Sequence, residues 1–135
     1  MSESIQKAFT EANYQAYCLG CEHFKSGRFS QAKQAFNEAI TYWPEDGEAW
    51  MALGNCFDEL GKPLKAEECY RSALQYVDEA RKQDVLFNLG NSLLDLAEFD
   101  KAIAIYQQVS AQSAVYPKAQ RNMALARSKR THPSQ

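Results

Sequence analysis

Little in this chain of 135 residues invites a catalytic reading. It holds two histidines, His23 and His132, and no glycine-rich phosphate loop, nucleophile elbow or carboxylate pair at a distinctive spacing. Acidic neighbours such as Glu67-Glu68 and Asp58-Glu59 are what any solvated helix carries, so no enzymatic activity is expected. No apolar run approaches the ~20 residues of a membrane-spanning helix. Met1 to Lys7 lacks the basic opening and apolar core of a secretion signal, which makes the cytoplasm the expected location. Nor is there an excess of charge of one sign. A formal net charge of −2 and a pI near 5.7 argue against general nucleic-acid or membrane-surface binding.

The four cysteines are poorly placed for metal or redox work. Cys18 and Cys21 form a Cys-x-x-Cys, but zinc knuckles come as two close pairs, and Cys56 and Cys69 are 13 residues apart on two different predicted helices. A redox motif needs its thiol at a helix N-terminus, whereas Cys18 and Cys21 fall in mid-helix. They read as small buried or half-buried hydrophobes, and no metal or other cofactor is expected.

What the chain has is a period. Leu19-Gly20 returns as Leu53-Gly54, 34 residues on, and as Leu89-Gly90, 36 further. Twelve residues after each glycine stands Ala32, Ala66 or Ala102, and four beyond that Phe36, Tyr70 or Tyr106. Each unit divides into two helical patterns. In the first, Tyr14, Tyr17, Cys18, Cys21 and Phe24 share a stripe that ends at Lys25-Ser26-Gly27; Ala32, Ala35, Phe36, Ala39 and Ile40 then recur at three- and four-residue steps. Ser30 and Asp100 are the expected N-caps of their helices. Pro63 suits the start of a helix, and Pro44 separates the first two units. Glycine inside a helix costs roughly 1 kcal/mol relative to alanine, so accepting it three times at one register points to close helix approach.

These residues resemble the tetratricopeptide repeat, a helix–turn–helix unit of about 34 residues. Trp50 to Asn55, Gly61, Ala66, Tyr70 and Ala73-Leu74 follow its pattern, as do Leu19-Gly20, Gly27, Ala32, Phe36, Ala39-Ile40 and Pro44. The third unit departs, with Ala97 where glycine usually sits and two residues inserted near Val77 to Lys82, which would tilt the unit or lengthen a helix. The resemblance implies an all-α, right-handed α-solenoid of three helix–turn–helix units in one domain spanning 1–135. The units fall at about 13–46, 47–80 and 83–116, with a capping helix at 117–130 and a frayed tail at 131–135. Ile5 and Phe9, a helical turn apart, either extend the first helix or pack before it.

The resemblance further implies a concave groove, lined by the first helices, that takes a peptide or helical segment of another protein. Read from the residues flanking each Leu-Gly, the groove is Tyr14, Tyr17, Cys21 and Phe24 in the first unit; Glu48, Met51, Asn55 and Asp58 in the second; Asp84, Phe87, Asn88 and Asn91 in the third; and Lys118 and Arg121 on the capping helix. The aromatics and Met51 are interface anchors, the asparagines can hold a ligand backbone, the middle reads as acidic and the far end as basic. Tyr17, Cys21, Ala52, Asp84 and Asn88 stand where carboxylate-gripping co-chaperones of the family carry Lys, Asn and Arg, so that clamp is missing. Gly27-Arg28-Phe29 and Trp50 to Cys56 also resemble small chaperones of type III secretion, which gives an alternative function. Pairing with a second copy through an open end of the stack is a further expectation.

Overall fold

The computed structural model describes residues 2–131, and the period read from the sequence becomes a row of helix pairs. These are α1 (Glu3–Lys25) with α2 (Phe29–Tyr42), α3 (Gly47–Glu59) with α4 (Pro63–Leu74), and α5 (Glu79–Asp95) with α6 (Phe99–Tyr106). A last helix, α7 (Tyr116–Thr131), lies against α6 and α5. This is the expected all-α right-handed solenoid with its terminal helix. The tail expected at 131–135 lies, apart from Thr131 at the end of α7, outside the described residues.

The turn inside each pair is one device used three times. Arg28, Lys62 and Glu98 each donate their backbone N–H to the carbonyl five residues back, on His23, Phe57 and Leu93. The residue before each donor is left-handed, with φ of 75° at Gly27, 72° at Gly61 and 59° at Ala97. Ala97 is the departure noted in the sequence; the backbone keeps the glycine conformation without the glycine.

The helix starts differ from expectation in two places. Ser30 and Asp100 are not N-caps: α2 and α6 begin two residues earlier than such caps would place them, at Phe29 and Phe99 after Arg28 and Glu98, with no side-chain cap bond. The capped helices are α1, α3 and α5, where the side chains of Ser2, Asp46 and Asp78 accept from the N–H of Ile5, Ala49 and Arg81. Pro63 opens α4 as its shape requires. The inserted residues near Val77 lengthen α5, to 17 residues against 13 in α3. Ile5 and Phe9 extend α1, which runs beyond the repeat pattern and sets Phe9 beside Tyr42, ring centroids 6.1 Å apart.

Each repeated glycine lies under the aromatic ring of its own unit. A Cβ on Gly20 or Gly54 would stand 2.5 Å from a ring carbon of Phe36 or Tyr70, and one on Gly90 closer still to Tyr106. The rings therefore close each helix pair on itself, rather than filling the gap to the next pair. Phe36, Tyr70 and Tyr106 are almost wholly buried, each stabilising the fold by about 1.5–3 kcal/mol through the transfer of its apolar surface. Ala32, Ala66 and Ala102 are fully buried beside them. Joining one pair to the next are Leu53, Cys56, Leu86, Leu89 and Leu93, all in a single apolar cluster.

Candidate partner-binding groove

With the second helices turned outward, α1, α3, α5 and α7 lie side by side on the inner face, and polar side chains bridge them. Asn88 Nδ2 on α5 donates to Asn55 Oδ1 on α3 (3.3 Å), and Ser92 Oγ donates to Asp58 Oδ1 (3.1 Å). One repeat on, Asn122 Nδ2 of α7 donates to Asn91 Oδ1 of α5 (2.8 Å). The buried tyrosines send their hydroxyls to the same places. Tyr70 Oη lies 2.7 Å from Asn55 Oδ1 and 2.6 Å from Asp58 Oδ2, and Tyr106 Oη donates to Asn91 Oδ1 at 2.5 Å. Because Tyr70 is enclosed beside a carboxylate, its phenol is pushed well above its usual range and stays a donor. Burial also raises the Asp58 pKa, against the opposing pull of the bonds from Tyr70 and Ser92.

Three zones follow along the groove. At the α1 end, Tyr17, Cys21 and Phe24 enclose a depression of ≈ 190 Å³ with Phe36, Ala52, Lys25 and Asn55. Tyr17 leans on Phe36 (centroids 5.6 Å) and Phe24 meets Phe29 edge-on at 5.1 Å, so two of the walls are held by packing. Tyr14 stands apart from this depression and is 68% exposed. In the middle are the asparagines and Asp58. At the α7 end Lys118 and Arg121 are exposed, with no ion-pair partner among the described residues.

Several expectations need correction. Met51 is buried in the core cluster and is no free anchor; Phe87 is half-buried against Tyr106, centroids 6.3 Å apart. The middle is less acidic than its carboxylates imply, because Arg81 pairs with Glu48 at 2.9 Å and reaches Asp84 at 3.3 Å. The asparagines are only partly available. Asn55 and Asn91 spend their carbonyls on neighbouring helices, while their Nδ2 groups have no partner among the described residues; Asn88 spends its amide N–H and keeps Oδ1.

Arg81 was not read as part of the site because it sits next to the insertion, where the repeat supplies no register. The hydroxyls of Tyr70 and Tyr106 were missed because the packing role of their rings explained them fully. A depression of ≈ 420 Å³ between α1 and α2, lined by Phe9, Asn13, Tyr42 and Trp43, was also missed, since residues before 13 have no repeated counterpart.

Of the cysteines, Cys56 and Cys69 are buried and burial pushes both thiols up to about 12, while Cys18 and Cys21 are half-buried. No group of three or more His, Cys, Asp or Glu among the described residues is arranged to hold a metal. His23 is half-buried, and its Nδ1 accepts from Arg28 Nε at 2.9 Å. No helix among the described residues is long and apolar enough to cross a membrane.

Two family profiles of the tetratricopeptide repeat match the chain, one over residues 17–85 and one over 84–113. The type IV pilus assembly protein PilF of Pseudomonas aeruginosa is 30% identical over 105 residues, covering 76% of this chain and 40% of PilF. This chain thus spans well under half the length of that relative. The PilF structure matches at a TM-score of 0.72 and 27% identity, over 95% of this chain and 58% of that one. The TPR2B domain of yeast Sti1, in a complex with pHsp70, matches at 0.81 and 14% identity over 88% of this chain and 98% of that domain. The type III secretion translocator chaperone SycD of Yersinia enterocolitica matches at 0.78 and 18% identity, over 87% and 85% of the two chains. At such identities these last two speak for the fold alone.

Proposed function

Because the chain belongs to the tetratricopeptide repeat family, we propose that it is a non-catalytic interaction module, an adaptor or assembly factor whose concave groove holds a segment of a partner protein. Units at about 13–46, 47–80 and 83–116 supply the groove, and the helix at 117–130 closes its far end. The observation that carries this reading is the Tyr17–Cys21–Phe24 depression. Its ≈ 190 Å³ suits one apolar side chain, and it opens beside Asn55, whose Nδ2 is unspent. An aromatic-walled hollow next to an amide donor can take a side chain and a backbone group of the same ligand residue. The similarity to PilF, a pilus assembly protein, supports a role in which the chain holds other proteins rather than transforming them.

The test is an affinity pull-down from native lysate with wild type and the Tyr17→Ala/Phe87→Ala double variant as baits, helicity being compared by circular dichroism. The reading expects a partner retained by wild type and lost by an equally helical variant. Identical partners on both baits would sink it.

A second reading, a cytosolic chaperone for a type III secretion substrate, is favoured by the Gly27-Arg28-Phe29 and Trp50 to Cys56 motifs. In the fold, Gly27 takes the left-handed turn and Trp50 Nε1 donates to Pro44 O at 2.8 Å. It requires that a translocator be insoluble without this chain and soluble when co-expressed with it.

A further inference from the structure

We infer that the chain stacks end to end with further copies of itself. Leu125 on α7 of one copy enters the hollow between α1 and α2 of the next, and the cations beside Leu125 face the carboxylates around that hollow. This goes beyond the groove reading and stands on other faces of the molecule.

The ground for it is a separation of charge along the row of helices. The chain has no Asp or Glu after Asp100, and α7 carries Lys118, Arg121, Arg127, Lys129 and Arg130. Lys129 and Arg130 stand in its last turn, where the negative end of the helix dipole favours a cation. Lys118 stands in the first turn, where the dipole opposes it, so the dipole does not account for the whole set. At the other end of the row the sign is reversed. Residues 8–23, in α1, and 34–46, from α2 into the turn after it, contain Glu11, Glu22, Glu38, Glu45 and Asp46 but no Lys or Arg. The nearest cations are engaged elsewhere: Lys25 lines the groove hollow, Arg28 is tied to His23, and Lys33 stands over the Phe57 ring of α3.

Shape agrees with charge. Ala12, Gln15, Ala16, Leu19, Glu38 and Tyr42, all on α1 and α2, enclose a hollow of ≈ 210 Å³, room for one aliphatic side chain. Leu19 stands where Leu53 and Leu89 are buried, yet is 46% exposed, and Glu22 stands where Cys56 and Ser92 are buried. An end face that had only to meet water would carry a polar residue in place of Leu19 as well. On α7, Ala119, Met123 and Ala126 are buried, and Arg121, Leu125 and Lys129 follow one another at four-residue steps about half a turn away. Leu125 is 44% exposed. A leucine between two cations thus matches an apolar hollow with glutamates at its rim. Two like ends brought together would oppose acid to acid or base to base. Contact is therefore between unlike ends, and it repeats from copy to copy instead of closing as a two-fold pair.

Sedimentation equilibrium at concentrations up to about 1 mM tests this. Expected is a mass that keeps rising with concentration past that of a dimer. It should fall as salt is raised from about 0.1 M to about 1 M, which shortens the screening length from about 10 Å to about 3 Å. Glu22→Lys/Glu38→Lys puts cations on both end faces, and Arg121→Glu/Lys129→Glu puts carboxylates on both. Each variant alone should stay monomeric where wild type associates, and an equimolar mixture of the two should associate again. Leu125→Ala should weaken association about tenfold and leave its salt dependence in place. The residues changed are exposed, so the fold is kept, which circular dichroism checks. The Tyr17→Ala/Phe87→Ala variant should assemble as wild type does, which separates this inference from the groove reading. A monomer throughout, a mass that stops at a dimer, or association untouched by Arg121→Glu/Lys129→Glu overturns the stacking and leaves the groove standing. Association untouched by Leu125→Ala, or lost with Tyr17 and Phe87, overturns the contact described.

Discussion

A single methyl group at Gly54 would place a carbon 2.5 Å from the Tyr70 ring, so Gly54→Ala is expected to destabilise the fold by about 1–3 kcal/mol, although alanine is the better helix former by about 1 kcal/mol. Urea unfolding measures this, and a gain in stability would show that the ring yields easily. Ala97 is the reverse case: an L-residue at φ 59° in a turn that glycine occupies twice elsewhere. Ala97→Gly should raise the urea midpoint, with a gain of about 0.5–1 kcal/mol, because relief of the left-handed strain exceeds the added freedom of the unfolded chain. Both effects were legible in the sequence, since glycine register and its one exception are visible without coordinates. Asp58 was not. Its raised pKa comes from burial beside Tyr70 and Ser92, which only the packing of three helices creates. Because its folded pKa lies above the unfolded value near 4, the folded state holds the extra proton between the two. Stability relative to Asp58→Asn should therefore fall as pH rises through that window and stay level above it. A difference that does not change with pH would contradict the shift.

Among the helices, α6 is the weakest by design of its sequence. It has 8 residues against 14 in α2 and 12 in α4, lacks a side-chain cap, and is followed by turns up to Tyr116. A helix of two turns has little stability of its own and depends on its neighbours, chiefly through Tyr106. Its hydroxyl and the Asn122 amide converge on Asn91 Oδ1, so Asn91→Ala should cost about 1–3 kcal/mol by leaving both donors unpaired. Hydrogen exchange in that variant should quicken in α6 and α7 before α3; uniform exchange would show that the ladder does not hold the end together. The existence and order of these helices followed from apolar periodicity. The early starts of α2 and α6 did not, because Ser30 and Asp100 look like caps in isolation while the left-handed turn before each helix fixes its start. The contribution of Arg81 was equally hidden, since it depends on where α5's added residues place it relative to α3.

Across the whole molecule, the structure joins neighbouring pairs by apolar packing on one side and by a few polar bridges on the other. The solenoid and its groove could be expected from three in-register copies. How much of the groove's polarity is spent internally could not, because the bonds from Asn88 to Asn55 and from Asn122 to Asn91 run between units and carry no mark in any one of them. The closure of each pair has a different consequence. The ring that fits Gly20 is 16 residues downstream in the same unit, and the same holds for Gly54 and Gly90. Lock and key are thus inherited together: a duplication that copies one whole unit copies its own fit, while a crossover inside a unit separates two residues that must match. Such an array can lengthen by copying without adjusting its old members, and drift at either residue of a pair must be answered by its fellow.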